Sequence, residues 1–215
     1  MGAVLFDLDG TLIDSLRDVT AAANAVLQKC DLPALPTEIV AGFVGMGEQV
    51  FVDRLIAATA LAMDERDWVM EVFIRHYREE ALNTRLMPGA RRALEVLKVQ
   101  GVPMGLVTNK PRAPLVPTLD AVDLAGFFDV VIAGDDLAKR KPDPLPLRHA
   151  MAEMGVDQCI YVGDSSIDAE TAEAAGVPFV LYTEGIRTVP VHDLTHEVAF
   201  NDFGMLPAIC ARLLN

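Results

Sequence analysis

The alternation of hydrophobic and polar positions changes character twice along the chain, near residues 15 and 85. The chain opens with Ala3–Phe6, an apolar run with the length of a buried strand. Beyond residue 85, short apolar runs alternate with longer stretches in which apolar residues recur at helical spacing. These patterns predict strands at 102–107, 130–133, 159–162 and 178–182, and helices near 90–100, 111–122, 145–155 and 169–175.

Strands that alternate with helices predict a parallel sheet that is covered by helices on both faces. The predicted fold class is therefore α/β, with a doubly wound parallel sheet. In such sheets ligands bind beyond the carboxyl ends of the strands. Polar residues that directly follow a predicted strand are thus the first candidates for a functional site.

In residues 15–84 the apolar residues recur at helical spacing and show no strand pattern. Ser15 is interpreted as the N-cap of a first helix. Further helices are predicted near 37–43, through 50–58 and near 64–81, and Trp68 in the last is interpreted as a packing residue. We therefore predict two domains: a core formed by residues 1–14 and 85–215, and an all-helical cap domain formed by residues 15–84.

Composition narrows the function classes. With 52% hydrophobic residues among 215, the chain can bury a substantial core. Its net charge of -13 argues against a nucleic-acid partner and against an anionic membrane surface. Cys30, Cys159 and Cys210 lack metal-binding spacing and fit a reducing compartment. Since the first apolar run is too short for a signal peptide or a membrane span, we predict a cytoplasmic protein.

Two carboxylates leave the end of the first predicted strand. Asp7 and Asp9 are separated by one residue and are followed by Gly10, which allows a sharp turn, and by Thr11. Burying a pair of carboxylates costs free energy unless a cation or a proton compensates. The pattern is typical of metal-assisted phosphoryl transfer to a side chain.

The remaining candidates lie at the ends of later strands or just after them. They comprise a hydroxyl, an amide, a cation and two carboxylates that one helical turn separates: Thr108, Asn109, Lys141, Asp164 and Asp168. Because the carboxyl ends of parallel strands meet at one edge of a sheet, we expect these side chains to gather near the first strand.

These residue types supply the parts that hydrolysis of a phosphate monoester needs. Asp7, at the strand end, is the better nucleophile, and Asp9, where the chain turns, is the better general acid and base. Thr108 and Lys141 can stabilise charge on the transferring group. A hard divalent cation would offset the repulsion between phosphate and carboxylates, with Asp164 as a ligand.

In order and spacing, these motifs resemble those of the haloacid dehalogenase superfamily, on its phosphatase branch. The opening motif and the segments 106–111 and 134–136 are most similar to those of phosphoglycolate phosphatases. The resemblance implies Mg²⁺ as the cofactor and phosphoglycolate as the first choice of substrate. It implies metal ligation by Asp7, Asp9 (through its backbone carbonyl), Asp164 and Asp168, and phosphoryl binding by Thr108, Asn109 and Lys141.

Three residues outside these motifs are candidates for substrate contact. Gly45 and Gly47 open onto a predicted cap helix, and backbone N–H groups at a helix N-terminus suit an anion such as a substrate carboxylate. An ordinary connecting turn is the alternative. Lys110 faces either the substrate or the solvent. Residues 184–197 match no pattern that we can interpret.

Several functional alternatives stay open. A hexose-phosphate mutase of the same superfamily would return the phosphoryl group to a sugar, whereas a dehalogenase would lack the second carboxylate, Asp9. A binding or regulatory module with a dormant site is the alternative from another class. Small sugar phosphates, nucleotides and pyrophosphate are other possible substrates of a phosphatase. The sequence is compatible with a monomer or a homodimer.

Overall fold

The computed structural model describes residues 2–80 and 84–214. Its strands, numbered along the chain, are β1 Ala3–Phe6, β2 Ile13–Asp14, β3 Arg85–Leu86, β4 Met104–Val107, β5 Val130–Ile132, β6 Cys159–Gly163, β7 Phe179–Tyr182 and β8 Val198–Phe200. Six of them form one sheet in the order β5-β4-β1-β6-β7-β8. Every pair in that sheet is parallel. This arrangement confirms the predicted α/β class with a parallel sheet.

The helices are α1 Leu16–Lys29, α2 Thr37–Ala41, α3 Glu48–Ala57, α4 Arg66–Glu80, α5 Ala90–Val99, α6 Arg112–Ala121, α7 Leu145–Met154, α8 Ser166–Ala175 and α9 Leu206–Leu213. The sheet is covered on both faces by α5 to α9, whereas α1 to α4 pack elsewhere. Alternate residues of β1 belong to two different hydrophobic clusters, one with α5, α6 and α9 and the other with α7 and α8. All four residues of β1 are fully buried, so this strand reads as a continuous apolar run.

Helices α1 to α4 enclose a hydrophobic cluster of their own. The rings of Phe51, Phe73 and Tyr77 stack in sequence, with centroids 4.6 Å and 5.6 Å apart. Tyr77 lies at the end of this series. The aromatic series therefore runs through the interior of the helical segment and ends at a residue that carries a hydroxyl.

A short antiparallel ribbon joins the two ends of the helical segment. β2 pairs with β3, with Ile13 opposite Leu86. Beside it, the Thr84 hydroxyl donates a hydrogen bond to the buried carboxylate of Asp18. The pattern analysis missed this ribbon because strands of two residues show no periodicity. It also missed β8 and α9, which lie beyond the last predicted strand.

Several predicted boundaries shift by a few residues. The helix predicted at 64–81 is a single 3-10 turn, Met63–Glu65, followed by α4, and residue 81 lies outside the described part. Ser15 precedes α1 as predicted, but its side chain makes no capping hydrogen bond. Trp68 is 39% exposed, so its interpretation as a packing residue was wrong. No helix within the described ranges is long and apolar enough to cross a bilayer.

Gly134 provides a test of how tightly the strand ends are packed. A Cβ atom at this position would overlap the backbone of Asn109, which cannot move aside as a flexible side chain can. We expect Gly134→Ala to lower the free energy of unfolding by about 1–3 kcal/mol. Gly126→Ala is the matched control, since a Cβ there meets nothing within 4 Å. Urea unfolding measures both, and equal stabilities would contradict the packing described.

Candidate active site

Two central strands of the sheet end in buried carboxylates. Asp7 directly follows β1 and Asp164 directly follows β6, and β1 pairs with β6. Asp168 lies one turn later, within α8. Each of the three carboxylates offers an oxygen within 4.8 Å of the other two. The sequence prediction that the strand ends bring these residues together is therefore met by the geometry.

Lys141 lies among these carboxylates and is only 2% exposed. Its Nζ is 2.7 Å from Asp7 Oδ1 and 2.7 Å from Asp168 Oδ1. The same Nζ donates to the Tyr161 hydroxyl at 2.9 Å. Burial alone would lower the pKa of Lys141, but the charges of Asp168 and Asp7 raise it above its ordinary value. The ammonium is therefore charged and has a fixed position.

The Asp164 carboxylate is held by hydrogen bonds from both sides. The Thr11 hydroxyl donates to Oδ1 at 2.7 Å, and the Ile186 backbone N–H donates to Oδ2 at 2.7 Å. A Cβ at Gly10, where φ is +87°, would lie 2.5 Å from the same carboxylate. Ile186 belongs to the segment 184–197 that the sequence pattern left unexplained, so part of that segment supports the site.

Asp168 is oriented by the start of its own helix. The Ser165 hydroxyl donates to Asp168 Oδ2 at 2.6 Å, and the Ser165 side chain in turn caps α8 by accepting from the Asp168 backbone N–H. The other carboxylate oxygen of Asp168, Oδ1, accepts a hydrogen bond from the Lys141 ammonium and lies 3.0 Å from the Tyr161 hydroxyl. Both oxygens of Asp168 therefore have protein partners.

The three carboxylates differ in their pKa values. Burial, followed by the charge of Asp168, raises the pKa of Asp7 to about 7. The same two causes raise the pKa of Asp164 well above its usual value. Burial also acts on Asp168, but the charge and hydrogen bond of Lys141 outweigh it and lower its pKa. The Lys141 ammonium thus stabilises the ionised form of Asp168, whereas the ionised forms of Asp7 and Asp164 remain unfavourable.

This imbalance provides the fit test for a metal ion. Three ionised carboxylates beside one ammonium leave two negative charges in a buried space. Carboxylate oxygens are the ligands that Mg²⁺ prefers, and a divalent cation would restore neutrality. The donor set therefore fits the predicted cofactor.

Asp9 lies in the same cavity but outside this cluster. Its Oδ1 is 3.1 Å from the Nζ of Lys110 and 3.4 Å from the hydroxyl of Tyr77. Lys110 also donates a hydrogen bond to that hydroxyl. Because Tyr77 belongs to α4, these contacts connect the helical segment with the end of β1. Lys110 is only 5% exposed, so the alternative of a solvent-facing position is wrong.

Thr108 and Asn109 follow β4, as predicted, but their side chains do different things. The Thr108 hydroxyl accepts from the Lys110 backbone N–H at 3.1 Å and keeps its proton free to donate. The Asn109 amide donates to the carbonyls of Gly45 and Lys141 and accepts from the Lys141 N–H. These contacts favour a positioning role for Asn109 over direct contact with a substrate.

Gly45 and Gly47 line the cavity from the helical side. Both have positive φ, +105° and +82°, which explains glycine at these positions. Gly47 directly precedes α3, so the loop opens onto a helix as the sequence predicted, whereas binding of an anion at this helix N-terminus stays a prediction. Gly45 also accepts the hydrogen bond from Asn109, which ties this loop to the core.

Glu48, the first residue of α3, was missed by the sequence interpretation. Its side chain lines the cavity, and its Oε1 is buried without a hydrogen-bond partner in the part of the chain that the structure describes. Burial raises its pKa to about 7, against a smaller opposite effect of Lys110. The signal was present in the sequence, since Glu48 directly follows Gly47, but a first-turn glutamate is common for helix-dipole reasons alone.

The pKa of Glu48 predicts a pH-dependent stability. Its ordinary value is 4.5 and its folded value is about 7, so between these values the folded state binds more protons than the unfolded state. The free energy of unfolding therefore falls as pH rises through this window. We expect Glu48→Gln to be about 1–3 kcal/mol more stable than the parent protein near pH 8, and nearly equal to it near pH 4.5.

Urea unfolding at the two pH values measures this difference. Both proteins retain Asp7, so its own titration cancels. Glu95→Gln, at an exposed position of α5, is the matched control and should show the same stability difference at both pH values. A pH-independent effect of Glu48→Gln would show that the folded environment does not favour the neutral carboxyl.

This chain is similar to known proteins over its whole length. A family model described as haloacid dehalogenase-like hydrolase matches residues 4–182. The phosphoglycolate phosphatase of Cereibacter sphaeroides is 42% identical over 218 residues, which cover 100% of both chains. The phosphoglycolate phosphatase of Pseudomonas putida is 42% identical over 215 residues, covering 97% of this chain and 79% of that relative.

A solved structure agrees as well. The crystal structure described as a predicted phosphoglycolate phosphatase from Haemophilus somnus superposes with a TM-score of 0.93 at 31% identity, with 97% of each chain covered. The resemblance that the motifs of Asp7, Thr108, Lys141 and Asp164 indicated is thus confirmed. The chain belongs to the haloacid dehalogenase-like hydrolase family.

Proposed function

We propose that this hydrolase is a Mg²⁺-dependent phosphatase that cleaves a small phosphate monoester through an aspartyl-phosphate intermediate. The first choice of substrate is 2-phosphoglycolate, in keeping with the names of the relatives from Cereibacter sphaeroides and Pseudomonas putida. The observation that carries the proposal is the buried arrangement of Asp7, Lys141, Asp164 and Asp168 at one edge of the sheet, with Asp9 in the same cavity.

In the first step, a carboxylate oxygen of Asp7 attacks phosphorus and the ester P–O bond breaks. Asp9 donates its proton to the departing alkoxide oxygen, which leaves as an alcohol. The Lys141 ammonium and the Thr108 hydroxyl bind the phosphoryl oxygens and stabilise the charge that develops there. Lys141 suits this role because it already contacts Asp7 at 2.7 Å.

In the second step, water attacks the phosphorus of the aspartyl-phosphate. Asp9, now ionised, accepts the proton of this water, and the bond between phosphorus and the Asp7 oxygen breaks. Phosphate leaves, Asp7 is again a free carboxylate and Asp9 is again protonated. The contact of Asp9 with the Lys110 ammonium holds the acid–base carboxyl beside the reacting groups.

The Mg²⁺ ligands we propose are the Asp7 carboxylate, the Asp9 backbone carbonyl and the Asp164 carboxylate, with Asp168 beside them. When bound, the ion neutralises charge on the phosphate and on the carboxylates. Asp168 also has a second function, because it holds Lys141 in place at 2.7 Å.

Residues 15–84 are proposed to act as a cap over the core formed by residues 1–14 and 85–215. The cap would exclude bulk water and supply contacts to the leaving group. Gly45 and Gly47 are the proposed backbone contacts, supported by their position in the cavity lining. The separate hydrophobic cluster of α1 to α4 supports treating this segment as one unit.

A hexose-phosphate mutase is the second candidate, since it would use the same groups and return the phosphoryl group to a sugar. Phosphatases of sugar phosphates, nucleotides or pyrophosphate would differ only in the leaving group. The proposed partner is a small phosphate ester, and the proposed location is the cytoplasm. The proposed assembly is a monomer or a homodimer.

Phosphate release with 2-phosphoglycolate and a panel of other esters tests the proposal. We expect turnover that requires Mg²⁺ and stops with EDTA. Asp7→Asn should lower kcat by roughly 10³-fold or more, since it removes the nucleophile. Asp9→Asn should lower kcat by about 10²–10⁴-fold, since it removes the general acid and base.

Asp157→Asn is the matched control, because Asp157 is exposed and precedes β6 at the opposite edge of the sheet. It should retain the parent activity. Conversion of glucose 1-phosphate to an isomeric sugar phosphate without release of phosphate would select the mutase. If no ester reacts in the presence of Mg²⁺, the proposal of an active phosphatase is wrong.

A further inference from the structure

The cavity contains a second lysine, whose only part in the proposed phosphoryl-transfer steps is to hold Asp9. Among the described residues that line it, the cations are Lys110 and Lys141. Lys141 is shared between Asp7 and Asp168. Lys110 instead contacts Asp9 at 3.1 Å and the hydroxyl of Tyr77. Its ammonium therefore lies on the side of the cavity where the leaving group departs.

The position of Lys110 suits a ligand of negative charge. Its side chain is only 3% exposed, yet it lines the cavity that a substrate would enter. Its ammonium has three N–H donors, and the contacts described with Asp9 and with the Tyr77 hydroxyl use two of them. The third is left for an anionic group of the substrate.

The position of this anion follows from the chemistry of the ester. Asp9 must reach the ester oxygen to protonate it, and Lys110 lies directly beside Asp9. A carboxylate on the carbon that carries the ester oxygen lies next to that oxygen. It would therefore fall within reach of Lys110.

We propose that Lys110 is a specificity residue that binds a carboxylate attached to the ester-bearing carbon of the leaving group. This inference rests on the proposed phosphatase function and deepens it, because Lys110 would select small 2-phosphoryloxy acids over phosphate esters whose leaving group has no carboxylate. Tyr77 positions the ammonium by accepting its hydrogen bond.

Another residue of the cavity lining is compatible with this charge. Glu48 lines the same cavity, and its buried Oε1 has no hydrogen-bond partner among the described residues. Because burial raises its pKa to about 7, the carboxyl is largely neutral below that pH and does not repel an anionic leaving group. A neutral carboxyl also has a proton to donate to a carboxylate.

A pair of non-hydrolysable ligands tests the inference without turnover. 3-Phosphonopropionate has the shape of 2-phosphoglycolate with a methylene in place of the ester oxygen, and 3-hydroxypropylphosphonate replaces its carboxylate with a hydroxymethyl group. Calorimetry with the Mg²⁺-loaded protein should show that 3-phosphonopropionate binds about tenfold or more tightly than 3-hydroxypropylphosphonate, which lacks the carboxylate. Equal affinities in the parent protein would overturn the inference without any variant.

Variants then assign the preference to Lys110. In Lys110→Met, which keeps the length of the side chain and removes its charge, the two affinities should become equal. Tyr77→Phe keeps the charge and should keep at least half of the preference. Lys139→Met removes an exposed lysine and should leave both affinities at the parent values. A full preference in Lys110→Met would overturn the inference.

Kinetics separate this specificity role from the contact with Asp9. Loss of Lys110 disturbs Asp9 for every substrate, so kcat should fall similarly for 2-phosphoglycolate and for 2-hydroxyethyl phosphate. KM should rise about tenfold more for 2-phosphoglycolate. Equal changes in both parameters would assign Lys110 to positioning Asp9 alone. If no ester reacts, the proposed function fails, whereas the calorimetric comparison still tests the inference.

Discussion

The structure depends on the burial of more negative than positive charge at one edge of its sheet. Asp7, Asp164 and Asp168 lie within reach of one ion, and Lys141 is the cation that contacts two of them. Burial and the charge of Asp168 raise the pKa of both Asp7 and Asp164. Such an arrangement is unfavourable for folding alone, and a divalent cation bound between the carboxylates would offset their repulsion.

The surrounding chain is organised to hold these charges. β1 and β6 are neighbours, so their ends bring Asp7 and Asp164 together without a long loop. The start of α8 fixes Asp168, which in turn fixes Lys141. The α/β topology thus places rigid elements beneath each charge, and rigid placement is what catalysis by electrostatic stabilisation requires.

The sequence predicted the parts of the site that follow local rules. Residues after buried strands, such as Asp7 and Thr108, could be placed because parallel strands end at one edge. The contacts of Tyr77 and Glu48 could not be placed in this way, because they depend on how the helical segment packs against the core. Lys110 was adjacent to a recognised motif, yet the sequence alone left its direction open.

The same reasoning explains the other differences. β2 and β3 are two residues long and pair over a large separation in sequence. Neither hydrophobic periodicity nor a turn sequence therefore predicts these strands. Trp68 lies on an amphipathic helix, but the described cluster of the helical segment packs against Val69, Val72 and Phe73 instead. Local pattern determines which residues form a helix, whereas the exposed face depends on partners that are distant in sequence.

The distribution of functional groups separates reaction from selectivity. The groups proposed to act on phosphorus, Asp7, Thr108 and Lys141, all belong to the core and contact other core residues. The groups proposed to lie beside the leaving group come from both parts of the chain, since Lys110 contacts Tyr77 and lines the same cavity as Glu48. A change in the helical segment would therefore alter which ester fits, while the charges around phosphorus would stay the same. Conversely, a change at Lys110 would affect both, because this lysine contacts Asp9, the proposed general acid and base, and also Tyr77 of the helical segment.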